Sequence, residues 1–243
     1  MKYPFKEVRN MKITASTDVG RVRKENQDSY YISEANQYSI IADGMGGHNG
    51  GEVASQMTIS LMRAYIEKQK PKNQQQVIKM LKNGIEEVNQ IIFGMARESE
   101  QLKGMGTTLI VCYMIGQSAV IVHVGDSRLY HISGQTIEQV TKDHSIVEQL
   151  VDQGSITREQ AKTHPQKNMI TRAIGTDWAV EADAFIINLL KDDKIVLCTD
   201  GLTNMVSEDD IHSLVTTEDP QQLVDLANAR GGSDNITVII MKM

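Results

Sequence analysis

Residues 107–115 and 118–124 are apolar almost without interruption, and only Gly116-Gln117 joins them. A link that short folds the chain back antiparallel onto itself. A strand with one wet face alternates apolar and polar residues, whereas a strand apolar on both faces needs a covering layer on each side. The same reasoning applies to the strands expected at 184–190 and 194–199, joined by Lys191-Asp192-Asp193, and to the one at 236–241. From Gly51 the apolar period changes, and Val53, Ala54, Met57, Leu61, Ala64 and Tyr65 form one stripe of a helix that ends before Pro71. A second helix carries Val77, Met80, Leu81, Ile85, Val88, Ile91 and Ile92, and two short helices are expected near 208–215 and 220–229. These elements predict an α+β fold, a four-layer α-β-β-α sandwich of two mainly antiparallel sheets flanked by helix pairs. No linker divides the 243 residues, so one domain is expected over 11–243 after a charged appendage at 1–10.

The chemistry is expected where these strands end. The strand 38–42 runs into Asp43-Gly44-Met45-Gly46-Gly47-His48, the strand 119–124 into Gly125-Asp126-Ser127-Arg128, and 195–199 into Asp200-Gly201. Asp28 and Asp234 instead precede strands, at 28–33 and 236–241. The end of one antiparallel strand lies beside the start of its neighbour, so both kinds of aspartate can meet at one rim. Any single Asp-Gly pair is explained as a turn former, but that explanation weakens when several end buried strands together. Clustered carboxylates stay ionised only with cations between them, and hard divalent ions take oxygen-only ligands. Gly44, Gly46 and Gly47 leave room for backbone beside a metal and a phosphate. Asp43 offers two oxygens that can bridge two ions, and Asp200 with Asp234 can complete the shell of one. Two ions about 3.5–4 Å apart lower the pKa of a shared water and neutralise a transferring phosphoryl group.

Composition removes competing classes. A formal charge of −6 and an aromatic content of 5% argue against nucleic acid as the main partner. Cys112 and Cys198 both lie inside apolar strands, which reads as two buried thiols in a reducing compartment. No apolar run approaches 18 residues, so no membrane insertion is expected and the chain reads as cytoplasmic.

The motifs together resemble those of the metal-dependent serine/threonine protein phosphatases, the PP2C or PPM family. They are Asp18-Val19-Gly20 with Arg23 and Asn26-Gln27-Asp28; Asp43 to His48; Gly106-Thr107-Thr108; Val124-Gly125-Asp126-Ser127-Arg128; Lys142-Asp143-His144; Ile170-Thr171-Arg172-Ala173-Ile174-Gly175; Cys198 to Leu202; and Gly231-Gly232-Ser233-Asp234-Asn235. They fall in family order between residues 11 and 241, and the short form resembles the bacterial single-domain branch.

The resemblance implies the same sandwich, with two Mn2+ or Mg2+ ions in the channel between the sheets. Asp43 would bridge them, the Gly44 carbonyl would join the second ion, and Asp200 and Asp234 would hold the first. Arg23 matches the arginine that grips the substrate phosphate, a role that suits a planar guanidinium fork. Asp28 would orient or accept a proton from water near the ions. Asp126 would help Asp200 hold a third ion, or serve as a turn aspartate bonded to the amides that follow it. A flap is expected at about 150–170. The implied reaction is attack by a metal-bridging hydroxide on phosphoserine or phosphothreonine, without a phosphoenzyme. The implied partners are phosphorylated proteins, among them a bacterial Ser/Thr kinase and its substrates, and a monomer is expected. Rival readings are a non-catalytic phosphoprotein-binding module and a small-phosphoester hydrolase. Gln27 and Met45 stand where eukaryotic members have a glutamate and a histidine, so metal-bound water is expected to protonate the leaving oxygen. His48, His144 and His123 are expected to be structural.

Overall fold

The computed structural model describes residues 11–33, 38–47 and 50–243. The expected appendage at 1–10, the hairpin residues Glu34-Ala35-Asn36 and His48 lie outside the described residues. Along the chain come β1 (Lys12–Asp18), β2 (Asp28–Ser33), β3 (Tyr38–Met45), α1 (Gly50–Glu67) and α2 (Gln74–Glu98). Then follow β4 (Gly106–Thr107), β5 (Leu109–Ile115), β6 (Ser118–Val124), β7 (Arg128–Ser133), β8 (Thr136–Gln139), α3 (Ile146–Asp152) and α4 (Arg158–Lys162). The last part holds β9 (Asp183–Asn188), β10 (Lys194–Cys198), α5 (Asp200–Thr203), α6 (Glu208–Leu214), α7 (Pro220–Ala229) and β11 (Ile236–Lys242).

One sheet runs β2-β3-β5-β6-β9, with β4 paired to β3, and the other runs β1-β11-β10-β7-β8. Their pairings are antiparallel. Strands β5, β6, β10 and β11 are covered on both faces, as their sequences require, whereas β9, at the edge of its sheet, leaves Ile186 exposed. Along β5, Leu109 and Val111 join the core shared with α1 and α2, while Ile110, Cys112 and Met114 join the core between the sheets. Along β11, Ile236, Val238 and Ile240 pack with α6 and α7, while Ile239 and Met241 enter the same inter-sheet core. Three apolar layers therefore separate four layers of secondary structure, and the α-β-β-α sandwich is the observed fold. Both cysteines are free and buried. Among the described residues, no helix is long and apolar enough to cross a membrane.

Several details depart from the expected pattern. The deepest face of α1 carries Ala54, Ser55, Thr58, Ile59 and Met62, while Val53, Met57, Leu61 and Tyr65 are half-buried and Ala64 is exposed. The Ser55 hydroxyl donates to the Gln27 carbonyl at 2.6 Å, so a face that an apolar count assigns to water is turned inward. On α2, Ile91 is exposed and the amide of Asn89 takes a buried place. The strand expected at 107–115 breaks at Thr108, because Thr107 pairs with Ile174 while the Thr108 N–H donates to the Asp43 carbonyl. Strand β8 and the single turn α5 were not expected, being too short to show a period. The flap region holds α4, whose Thr157 N-cap forms a capping box with Gln160.

The layer between the sheets carries the fold's most sensitive positions. Leu197→Ala, in that layer, is expected to cost about 2–5 kcal/mol in a urea-unfolding measurement. Leu190→Ala, at a position 69% exposed, is expected to stay within about 0.5 kcal/mol of the parent protein. Equal effects would mean that the inter-sheet layer is not the core.

Candidate active site

Strand register brings the aspartates together. Asp28 opens β2 directly opposite Asp43 near the end of β3. Asp200 opens α5 straight after β10, and Asp234 lies just before β11, the strand paired with β10. Asp126 occupies the turn between β6 and β7. One sheet thus supplies Asp28 and Asp43, the other supplies Asp200 and Asp234, and the turn at Asp126 joins the two. A cleft of about 220 Å³ is lined by Arg23, Asp43, Gly44, Asp126, Asp200 and Asp234, together with Gln27, Met45 and the flap-side residues Asn168 and Ile170. Asp28 lies behind this lining.

Backbone turns hold these side chains tightly. The Asp43 N–H donates to the Thr108 hydroxyl at 2.9 Å, its carbonyl accepts from Thr107 Oγ1 at 2.8 Å, and Thr108 Oγ1 is 2.7 Å from Ser127 Oγ. A Cβ on Gly44 would lie 2.1 Å from the Gly51 carbonyl oxygen, so only glycine lets α1 start against this strand. Gly125 has φ +112, a left-handed value that favours glycine, and its N–H donates to His144 Nδ1 at 3.0 Å. His144 therefore braces the Asp126 turn, and it stacks on His123 at 4.7 Å. Burial lowers the pKa of His123 to about 3, which keeps that ring neutral.

Sequence reasoning missed a set of hydroxyl and amide groups around the carboxylates. Asp28 Oδ2 accepts from Thr199 Oγ1 at 2.9 Å and Thr237 Oγ1 at 2.7 Å, which ties one sheet to the other. Asn235 donates to the Val19 and Glu25 carbonyls and accepts from the Gln27 N–H, so it fixes the loop that carries Arg23. Asn204 Nδ2 donates to Asp200 Oδ2 at 3.0 Å, and its Oδ1 accepts from Lys167 of the flap side at 3.2 Å. Motif order offered a signal for Asn235, which follows Asp234 directly. Thr237 sits in an apolar strand and gave none.

The electrostatics leave a deficit of positive charge. Burial first, and then neighbouring aspartates, pushes Asp28 up to about 7, Asp126 to about 8 and Asp200 to about 6, and holds Asp43 well above the usual carboxylate range. Arg23 and Arg128 are the nearby counter-charges; Arg23 Nη2 donates to Asp234 Oδ2 at 2.8 Å, while Arg128 is already paired with Asp143. Asp28 Oδ1 is buried with no hydrogen-bond partner. An all-oxygen donor set of crowded carboxylates with this deficit fits hard divalent ions. Among the described residues, no three His, Cys, Asp or Glu side chains already stand at ligand spacing. Asp234 is turned onto Arg23 and Asp200 onto Asn204.

Comparison with known proteins bears on the fold and the family. The family model for protein phosphatase 2C matches residues 21–228. The chain is 39% identical over 235 residues to the serine/threonine phosphatase stp of Listeria welshimeri, with 93% of each chain covered. It superposes on the serine/threonine phosphatase of S. agalactiae with a TM-score of 0.91 at 37% identity, covering 96% of this chain and 100% of that one. It also matches the catalytic domain of the phosphatase PstP, solved with two manganese ions, at a TM-score of 0.83 and 33% identity, with 96% and 97% covered.

Each raised carboxyl binds its proton more tightly in the folded protein than in an unfolded chain. Without cations, then, these groups cost the fold stability as pH rises from about 4 toward 8. Asp43→Asn removes one repelling charge. The metal-stripped variant is expected to melt a few degrees above metal-stripped wild type near neutral pH, a shift of about 2–4 °C per kcal/mol, and the gap should shrink in acid. Calorimetry in chelator checks this, and a variant that melts lower at neutral pH would contradict it.

Proposed function

This chain belongs to the protein phosphatase 2C family, and from that premise we propose a role for each residue of the rim. The activity is metal-dependent hydrolysis of phosphoserine and phosphothreonine in signalling proteins. The observation that supports the residue roles best is the single cleft lined by Asp43, Asp126, Asp200, Asp234 and Arg23.

Asp43 and the Gly44 carbonyl, with Asp200 and Asp234, are the groups that would hold two Mn2+ or Mg2+ ions, and Asp126 with Asp200 would hold a third. Bound there, such ions supply Lewis acidity that makes water nucleophilic at neutral pH and neutralises charge on the phosphoryl oxygens. The protein's own groups do the rest. Arg23 hangs over the cleft on Asp234, with its side chain 54% exposed, so its fork is presented to an incoming phosphate. With Asp234 engaged as a metal ligand, that fork would be free to take two phosphate oxygens. Asp28, fixed through Oδ2 by the two threonine hydroxyls, keeps Oδ1 as the atom able to accept a proton from behind the cleft. Met45 lines the cleft and has no proton to give, His144 is committed to bracing the Asp126 turn, and His123 is buried and held neutral. Burial pushes both cysteine thiols up to about 12, which removes a thiolate nucleophile.

The substrates proposed are phosphorylated proteins, including a Ser/Thr kinase of the same cell and that kinase's targets. The chain is proposed to act in the cytoplasm.

Asp43→Asn and Asp200→Asn are each expected to lower turnover of a phosphothreonine peptide by at least about 10²-fold at saturating manganese. Near-normal rates in both variants would remove these residues from the metal centre. Arg23→Ala is expected to raise KM more than it lowers kcat, since it binds substrate and not the ions. Steady-state kinetics with an unchanged KM would take Arg23 out of phosphate binding.

A further inference from the structure

Next to the catalytic cleft lies a second groove of about 340 Å³, lined by Phe93, Arg97, Lys103, Gly104, Gly175 and Thr176 among others. The two share a thin wall. A Cβ on Gly46, which lines the cleft, would sit 3.5 Å from the carbonyl oxygen of Gly104, which lines the groove. A Cβ on Gly106 would meet Thr176 of the groove at 2.7 Å and Met45 of the cleft at 2.8 Å.

Beside the groove stands Trp178, the chain's single tryptophan, 63% exposed to water. It is held there deliberately. Asn89, buried on α2, donates to the carbonyls of Asp177 at 3.0 Å and Trp178 at 3.1 Å, and accepts from the Gly175 N–H at 2.8 Å. A buried amide with three hydrogen bonds satisfied fixes the backbone of the loop. The indole stands edge-on to Phe93 at 6.3 Å, and the Arg97 guanidinium lies over the other aromatic at 5.7 Å from its centroid. Tryptophan and arginine on a fixed backbone, around a ready cavity, are the residues that dominate protein recognition.

Resting on the phosphatase reading, we infer that this groove docks a second segment of the phosphoprotein substrate, one with a bulky apolar side chain beside an acidic residue. The apolar side chain stacks on Trp178 and Phe93. The carboxylate meets Arg97, whereas Lys103 already has Glu100 at 3.8 Å. The groove's share in the cleft wall identifies the substrate as occupant, because a phosphoprotein seated in the cleft is already at the groove's edge. Selectivity for proteins over small phosphoesters then arises beside the chemistry and not within it.

The test uses the full chain with manganese and three probes: p-nitrophenyl phosphate, a short phosphothreonine peptide, and the same peptide extended by a Glu-Phe-Glu segment at varied spacings. At the best spacing the extended peptide should show a KM lower by roughly fivefold or more, equivalent to about 1 kcal/mol. Binding of its unphosphorylated form should change the fluorescence of Trp178. Trp178→Ala and Arg97→Ala should return the KM of the extended peptide to that of the short one, leaving kcat and both smaller substrates unchanged. Equal KM for short and extended peptides at every spacing would overturn the inference. So would a Trp178→Ala variant that slows p-nitrophenyl phosphate as much as the peptide, or one that turns a dimer into a monomer, which would make the groove a self-association surface. Failure of wild type to hydrolyse the short peptide would instead count against the phosphatase reading.

Discussion

Mutual repulsion among buried carboxylates is the constraint on which the rest of the structure depends. Asp43, Asp126 and Asp200 would each be easy to place on a surface, but the sandwich brings them to one rim with burial and one another as their surroundings. Such a cluster costs stability unless cations enter it, so the folded chain carries an electrostatic demand for metal. The same demand suits the chemistry. Ions that relieve carboxylate repulsion also offset the charge of a phosphate, and Arg23 lines the same cleft, paired with Asp234.

Rigidity is what makes this demand useful. Relaxation would let the carboxylates drift apart, and the hydroxyl and amide groups around the rim prevent that. Thr199 and Thr237 clamp Asp28 from the opposite sheet, Thr108 pins the Asp43 backbone, and Asn235 fastens the Arg23 loop at three points. Each of these ties crosses between segments far apart in the chain. The apolar layer between the sheets supplies the frame, since the positions of Ile110, Leu197 and Ile239 set how far apart the two rims stand.

Much of this was legible in the sequence, for physical reasons that can be named. Strands apolar on both faces demanded cover on both, and β5, β6, β10 and β11 have it. Aspartates at strand ends predicted a shared rim, and the antiparallel register of β2 on β3 sets Asp28 opposite Asp43. What was hidden involves polar residues turned inward. Ser55 on α1, Asn89 on α2 and Thr237 in β11 carry the same letters as solvent-facing residues, and only their tertiary partners reveal them. The contact from Lys167 through Asn204 to Asp200 joins the flap side to the rim across segments with no periodic signal. Met45 and Gln27 line the cleft as the motif order suggested.

The central claim is that the rim's carboxylates need divalent cations and that those cations supply the reactivity. It is tested most directly by titrating metal-stripped protein with manganese in a calorimeter and following phosphothreonine-peptide turnover on the same samples. No turnover is expected in the stripped protein, with binding of at least two ions and activity that rises with their occupancy. Full turnover in chelator, or tight binding of manganese that leaves turnover absent, would contradict it.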